Sequence, residues 1–459
     1  MIRKLISVSG VLFLTWAFPG PAQSRSRQPK NSGQITTKVD AYMKPVLDVN
    51  GFTGFVMVIN HGKVLLSKGY GMANYELGVP NTAQTKFHLA SVSKTFTAAA
   101  IMLLEERGLL KVTDPLTKFI PDYPQGEKIT IHHLLTNTSG IANINNFPEY
   151  NNWSKFPHTP VDLVELFKHR PLDFEPGTRG YTESNSNYNL LAYIIEKLSG
   201  KAYGAFLREN IFGPLGMKDT DHDANPESLL RNRASGYMPA GIKDFENAPY
   251  ISFSIKTGNG SIYSTAEDLY KWDRALYTEK ILKKATIENM FNNNYGWFSG
   301  KRFNRRVTRM NGRQPGFQCE LQRYIDDDVF IAVLGNSYIT TPSLIVNDLA
   351  AMVFGEPYQI PEISKPVRVD SKTLDAYVGR YQFGPDFFAP NVIRTIENRN
   401  GQLFTTSTGG NILIPQSEAK FFDRSVWAMI TFVRDNQGQV THFLWRYAGT
   451  DYRANKLRD

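Results

Sequence analysis

The chain has 459 residues, a length that at roughly 150 residues per domain points to two or three domains and a sizeable core. Apolar residues make up 41%, charged residues 21% and aromatic residues 12%, which excludes an intrinsically disordered chain. The formal charge of +9 comes from 52 basic and 43 acidic side chains, scattered without long runs or aromatic interleaving, so nucleic acid is not an expected partner and the excess reads as a soluble basic surface.

At the N-terminus, Arg3 and Lys4 precede an apolar stretch from Leu5 to Phe18, then Pro19, Gly20 and Pro21, then Ala22-Gln23-Ser24. This pattern predicts a secretory signal over 1–24 with cleavage after Ser24. About 14 apolar residues are too few to span a bilayer. A periplasmic or secreted protein with no integral membrane span after cleavage is expected, and residues 25–39 read as a polar tether. Cys319 is the only cysteine; an intrachain disulfide, a thiolate metal cluster and a lipidated cysteine near the cleavage site are all excluded.

From Gly51 to Gly71, short apolar runs around Asn60-His61-Gly62 predict a β-hairpin. Ser91 to Leu109 is rich in Ala, Leu, Met and Glu and predicts a long, mostly buried helix with Gly108 at its end. Further helices are expected at Thr130 to Thr136 and Asn187 to Leu198. Apolar runs at Phe317 to Tyr324 and Val329 to Leu334, joined by Asp326-Asp327-Asp328, read as strands, and Pro342 to Phe354 as a helix. This order implies an antiparallel sheet assembled from both ends of a 40–355 domain, flanked by helices, with an all-helical insertion between. Gly355 and the three prolines after it mark a linker at 356–367. In 368–459, alternating segments such as Tyr377 to Phe383, Val392 to Glu397, Ala428 to Arg434 and Val440 to Tyr447 predict a small all-β barrel or sandwich.

Ser91-Val92-Ser93-Lys94 is an S-x-x-K sequence at a helix start, where residues three apart share a face. A serine hydroxyl needs a proton acceptor to become nucleophilic, and an amine of lowered pKa can serve. Ser417-Glu418-Ala419-Lys420 has the same spacing in a polar stretch of the β domain and is read as coincidence. His132 and His133 are adjacent, without the spacing of a zinc pair, and read as structural.

Five blocks, FHLASVSKTFTAAAIMLLEERGLL, KITIHHLLTNTSGI, PGTRGYTESNSNYNLLAYIIEKLSG, GSIYSTAEDLYKW and PGFQCELQRYIDDDVFIAVLGNS, resemble the β-lactamase-related serine hydrolases, which include class C β-lactamases, DD-peptidases, D-aminopeptidases and esterases. The resemblance covers residues 40 to 355 and implies a β-lactamase/transpeptidase-like α/β (α+β) domain. The tail, with Tyr377-Val378-Gly379-Arg380-Tyr381 near its start, resembles the small β domain of secreted relatives.

The family implies S-x-x-K, Tyr-x-Asn on the helical subdomain and Lys/His-x-Gly on an edge strand. Here Glu183-Ser184-Asn185 stands where Tyr-x-Asn belongs, so Asn185 is present and the tyrosine is not. Tyr181, beyond one extra residue, is the alternative to Glu183. Tyr150-Asn151-Asn152 matches literally but lies outside the block and is discounted. The third element falls on Met310-Asn311-Gly312, with Met in place of the cation, and the literal Lys256-Thr257-Gly258 reads as chance. Gly312 permits close approach of substrate, the NH groups of Ser91 and Arg313 would form an oxyanion hole, and Arg309 or Arg313 could supply the missing charge. A glutamate beside Lys94 favours its ammonium form and passes the base role to Glu183.

The expected protein is a hydrolase that acylates Ser91 and needs no cofactor or metal. It would act on a small-molecule, peptide or cell-wall-derived substrate; the alternative is a weakly active or inactive peptidoglycan- or ligand-binding homologue. Oligomeric state is left open.

Overall fold

The structure is a computed structural model that describes residues 32–48, 51–225, 227–240, 244–339, 341–360, 366–387, 392–405, 411–423, 426–447 and 450–457. The expected signal segment lies outside these residues.

The central sheet has six antiparallel strands: β1 (Gly54–Asn60), β2 (Lys63–Tyr70), β3 (Phe298–Arg302), β4 (Arg305–Gln314), β5 (Phe317–Tyr324) and β6 (Val329–Gly335). Their order is β3-β4-β5-β6-β1-β2. The two ends of the domain meet where β1 pairs with β6, from Gly54 opposite Gly335 to Asn60 opposite Val329. Both strands are buried on both faces, which is why they read as continuous apolar runs.

One face of the sheet, through Phe55, Met57, Leu321 and Leu334, packs on a core that includes helix α2 (Lys94–Glu106). The residues of α2 from Lys94 to Leu104 are all buried, as its apolar circumference requires. The other face, through Val56, Val58 and Val333, is covered by α1 (Ser32–Asp48) and α4 (Pro342–Phe354). Helix α3 (Asn185–Ser199) packs against α2 on the inner side.

Three local expectations are corrected. Helix α1 begins at Ser32, inside the stretch read as a tether, because Ile35, Val39, Tyr42, Met43 and Val46 form one apolar face at helical spacing. The insertion between β2 and β3 is not all-helical. Phe87–His88, Ile262–Ser264 and Asp221–His222 form a three-stranded sheet, and Tyr237–Ala240 pairs with Asp244–Asn247. Strands of two to four residues are too short to show a period. The tail also carries a helix, Ser371–Tyr377, capped by Asp370.

The tail strands close into an eight-stranded barrel, the first pairing with the last at Tyr381 and Lys456. Its core of Tyr381, Phe421, Phe432 and Phe443 is separate from the other two. Trp427 reaches out of the barrel to pack on the α1 side of the sheet.

Candidate active site

Ser91 lies in a 3-10 turn, Ala90–Ser93, that runs into α2. Ala90 holds φ 47°, a left-handed conformation that costs a residue with a Cβ roughly 1 kcal/mol and is therefore held by its surroundings. The Leu89 amide donates to the Ile262 carbonyl on one side. On the other, β4 presses against the turn at Gly312, where a Cβ would sit 2.2 Å from the Leu89 carbonyl oxygen and 2.7 Å from the Ser91 nitrogen. Only glycine permits that approach.

Lys94 Nζ donates to Ser91 Oγ at 3.2 Å and to Glu183 Oε1 at 3.1 Å. The lysine is 1% exposed and the glutamate about half exposed. Burial pushes Lys94 below its ordinary value; the Glu183 charge pulls the other way and is outweighed. Glu183 in turn is held below the usual carboxylate range by the Lys94 charge, against burial. Glu183 thus favours the ammonium form of Lys94, and desolvation opposes it.

The loop carrying Glu183 is held by asparagines that the sequence reading did not single out. Asn137 ends the helix Ile131–Thr136 in a left-handed cap. Its Oδ1 accepts from the Ser184 amide and Asn187 Nδ2, both at 3.0 Å. Asn143 Oδ1 accepts from the Asn185 amide at 3.2 Å, and its Nδ2 donates to the Glu183 carbonyl at 3.3 Å. The signal lay in the TNTSGIANI segment, whose asparagines suit caps and turns. Asn185 is buried at the start of α3, with its Oδ1 unpartnered.

Lys256 enters the site, although its Lys-Thr-Gly was read as chance. It ends a 3-10 turn, Phe253–Lys256, and its Nζ donates to Asn145 Oδ1 at 3.3 Å. It lies 5.0 Å over the ring of Tyr150, so the discounted Tyr150 also reaches the margin of the site. The backbone puts it beside the nucleophile: a Cβ on Gly260 would lie 3.4 Å from Lys256 Cβ and 3.6 Å from the Ala90 carbonyl carbon. Lys256 also acts electrostatically on both Lys94 and Glu183. Burial pushes its own value to about 8.

The other candidates are distributed by the alternation of β4. Met310 and Gly312 pair with Leu321 and Cys319 of the inner core. Arg309, Asn311 and Arg313 alternate with them and point to the opposite face. There Arg309 lies 3.9 Å from Glu320, and Arg313 stacks on Tyr338 at 4.1 Å. Neither arginine replaces the missing cation, and the Asn311 side chain is exposed on that same face. Tyr181 packs its ring edge-on against Phe298 at 5.1 Å. Burial, then the Glu183 charge, raise its phenol, which opposes the phenolate that a tyrosine base needs. His132 Nδ1 meets Tyr295 Oη at 2.8 Å, and His133 joins Thr130 in a capping box.

A serine, a buried lysine one helical turn on and a carboxylate beyond it lie between a six-stranded antiparallel sheet and a central helix, an arrangement suited to a serine hydrolase. The profile of the Beta-lactamase family matches residues 39–352, and the chain belongs to that family as a β-lactamase-related serine hydrolase. It is 31% identical over 432 residues to penicillin-binding protein 4* of Bacillus subtilis (strain 168), covering 86% of this chain and 93% of the relative. It is 27% identical over 235 residues to the teichoic acid D-alanine hydrolase of Staphylococcus aureus, covering 51% of this chain and 55% of the relative. In fold it matches the octameric penicillin-binding protein homologue of Pyrococcus abyssi, with TM-score 0.62 and 24% identity over 92% of this chain and 99% of the other. Among the described residues no helix is long and apolar enough to cross a membrane.

Proposed function

We propose that the chain is a secreted hydrolase that acylates Ser91 with a small amide, lactam or ester and then transfers the acyl group to water. The bridge Lys94 makes between Ser91 Oγ and Glu183 Oε1 carries this reading. The ion pair and its neutral amine–acid form differ by one proton shift along a 3.1 Å hydrogen bond, and burial of Lys94 beside the half-exposed Glu183 destabilises the ammonium and brings the two forms closer in energy. In the neutral form Lys94 can accept.

As Ser91 Oγ bonds to the substrate carbonyl carbon, its proton passes to Lys94 Nζ, and the proton Lys94 held has moved to Glu183. The oxyanion is received by the NH groups of Ser91 and Arg313 at the Gly312 contact. Collapse breaks the bond to the leaving group, which takes the proton back from the pair. Water then attacks the acyl-enzyme by the same route in reverse. Lys256 supplies the cation absent at Met310, and the unpartnered Asn185 Oδ1 receives an N–H of the substrate.

The names of the relatives support an acyl donor of the β-lactam or D-alanyl kind, acted on outside the cytoplasm. The test is intact mass after incubation with a fluorescent penicillin and with a fluorophosphonate. One adduct is expected, absent from Ser91→Ala; an adduct that survives Ser91→Ala, or none with either probe, overturns the reading.

A further inference from the structure

Away from Lys94 and Glu183, the three-stranded sheet of the insertion walls a cavity of about 350 Å3, at the small end of the roughly 300–1,000 Å3 of small-molecule sites. His88, Asp223 and Arg233 face it, together with Tyr250, Phe253 and Phe317; its lining does not include Ser91, Lys94, Glu183 or Lys256.

His88 has its side chain 2% exposed. Its ring stacks on Phe253 at 3.6 Å and meets the edge of Phe317 at 5.1 Å. Both ring nitrogens lack a hydrogen-bond partner, and so does Asp223 Oδ2. That oxygen lies 3.3 Å from His88 Nε2 and 3.8 Å from Arg233 Nη1, close enough to interact electrostatically without satisfying either. Buried polar groups in folded proteins are nearly always paired; three unpaired atoms on two side chains that line one cavity mark a place where something else supplies the partners.

The charges say what kind of partner. Burial, reinforced by Arg233, holds the imidazole neutral, at about 3, so it offers one donor and one acceptor. A plain anion would meet Arg233 but be repelled by Asp223, and a plain cation the reverse. A molecule carrying both charges a short distance apart meets both, and the aromatic rings remain for an apolar side chain.

We propose that this cavity binds a free α-amino acid with an apolar or aromatic side chain, its ammonium on Asp223 and His88 and its carboxylate on Arg233. The site is distinct from the acylation site, though His88 lies only three residues before Ser91.

Calorimetric titration with L- and D-phenylalanine, phenethylamine and 3-phenylpropionate tests this. One enantiomer of phenylalanine should bind at one site, with each half-molecule weaker by about tenfold or more. Asp223→Asn and Arg233→Gln should each weaken phenylalanine by about tenfold or more, while Lys256→Met leaves it unchanged. Absence of binding by both enantiomers overturns the proposal, as do half-molecules that bind equally well. Binding that Lys256→Met removes and Asp223→Asn spares also overturns it, by moving the ligand to the acylation site. The half-molecule comparison uses the unaltered protein, so recognition of both charges is tested even if a variant misfolds.

Discussion

Ser91 to Lys94 and Ser417 to Lys420 spell the same four-residue pattern in two regions of the molecule. In the hydrolase domain the pattern spans a 3-10 turn and the first residue of a buried helix. Lys94 has lost its water there and is left with Ser91, Glu183 and the face of Tyr188 at 5.4 Å. In the barrel it forms a surface turn between strands Asn411–Pro415 and Lys420–Asp423. The Lys420 amide donates to Ser417 Oγ at 3.1 Å, and both residues are exposed. Spacing brings a hydroxyl and an amine near each other in either region. Burial of the amine with a carboxylate beside it occurs only in the first, and it separates the proposed chemistry from a turn.

The largest expected effect comes from removing the nucleophile. Ser91→Ala should lower acylation by about 10³-fold or more with the fold intact, read as single-turnover labelling by the penicillin probe. Next is the proton acceptor: Glu183→Gln should cost ~10²–10⁴-fold, whereas Tyr181→Phe should leave turnover within a few-fold. If Glu183→Gln acylates as fast as the parent and Tyr181→Phe loses most activity, Tyr181 is the base and the role given to the Lys94–Glu183 bridge is wrong.

The pH profile sharpens the same contrast. Glu183 is held below its ordinary value and must be ionised to accept, so activity should rise with pH on an acid limb below the usual carboxylate range. Lys256 loses its charge as pH passes about 8, so activity should fall there. Lys256→Met should lower turnover by ~10²-fold and abolish that alkaline limb while keeping the acid one. An alkaline limb unchanged in Lys256→Met would assign it to Lys94 instead.

These groups were unequally legible in the sequence. Strand β6 stood out as an apolar run from Val329 to Leu334, β5 through Phe317, Cys319 and Leu321 at every second position, and helix α4 through its apolar residues between Pro342 and Gly355. The strands of the insertion, two to four residues long, carry no period of their own and exist because longer elements press them together. Within the site, Ser91 and Lys94 share one turn, and Glu183 and Asn185 stand in register with a recognisable block, so short-range pattern sufficed. Lys256 did not yield to the same method. Its segment forms a 3-10 turn rather than the edge strand where such a motif is sought, and only the tertiary fold carries it to Asn145. In the proposed site the cation stands on a different segment from the strand that carries Met310, and register along one segment cannot reveal a residue supplied by another.

Removing the barrel asks whether its separate core makes it a separate unit. A chain ending at Gly355 should keep ester hydrolysis within a few-fold and melt only a few degrees lower, a change on the order of 1 kcal/mol for loss of the Trp427 contact with the α1 side of the sheet. Unfolding of the truncated chain would show that the two units stand or fall together.

The smallest effect belongs to the second copy of the pattern. Ser417→Ala removes the hydroxyl that accepts from the Lys420 amide at 3.1 Å, but two further bonds close the same turn: the Gln416 amide to the Lys420 carbonyl at 2.8 Å and the Ser417 amide to that carbonyl at 3.1 Å. Water can replace a hydroxyl at an exposed position, so stability should change by no more than about 0.5 kcal/mol. Labelling and turnover should be unaltered. The measurement that counts is the pair Ser417→Ala and Ser417→Ala/Lys420→Ala against Ser91→Ala under identical labelling. If either barrel variant lowers acylation, the barrel contributes to catalysis through that turn, and the environment of Lys94 is not what distinguishes the two regions. If neither does, four residues of identical spacing have been assigned opposite roles by burial alone.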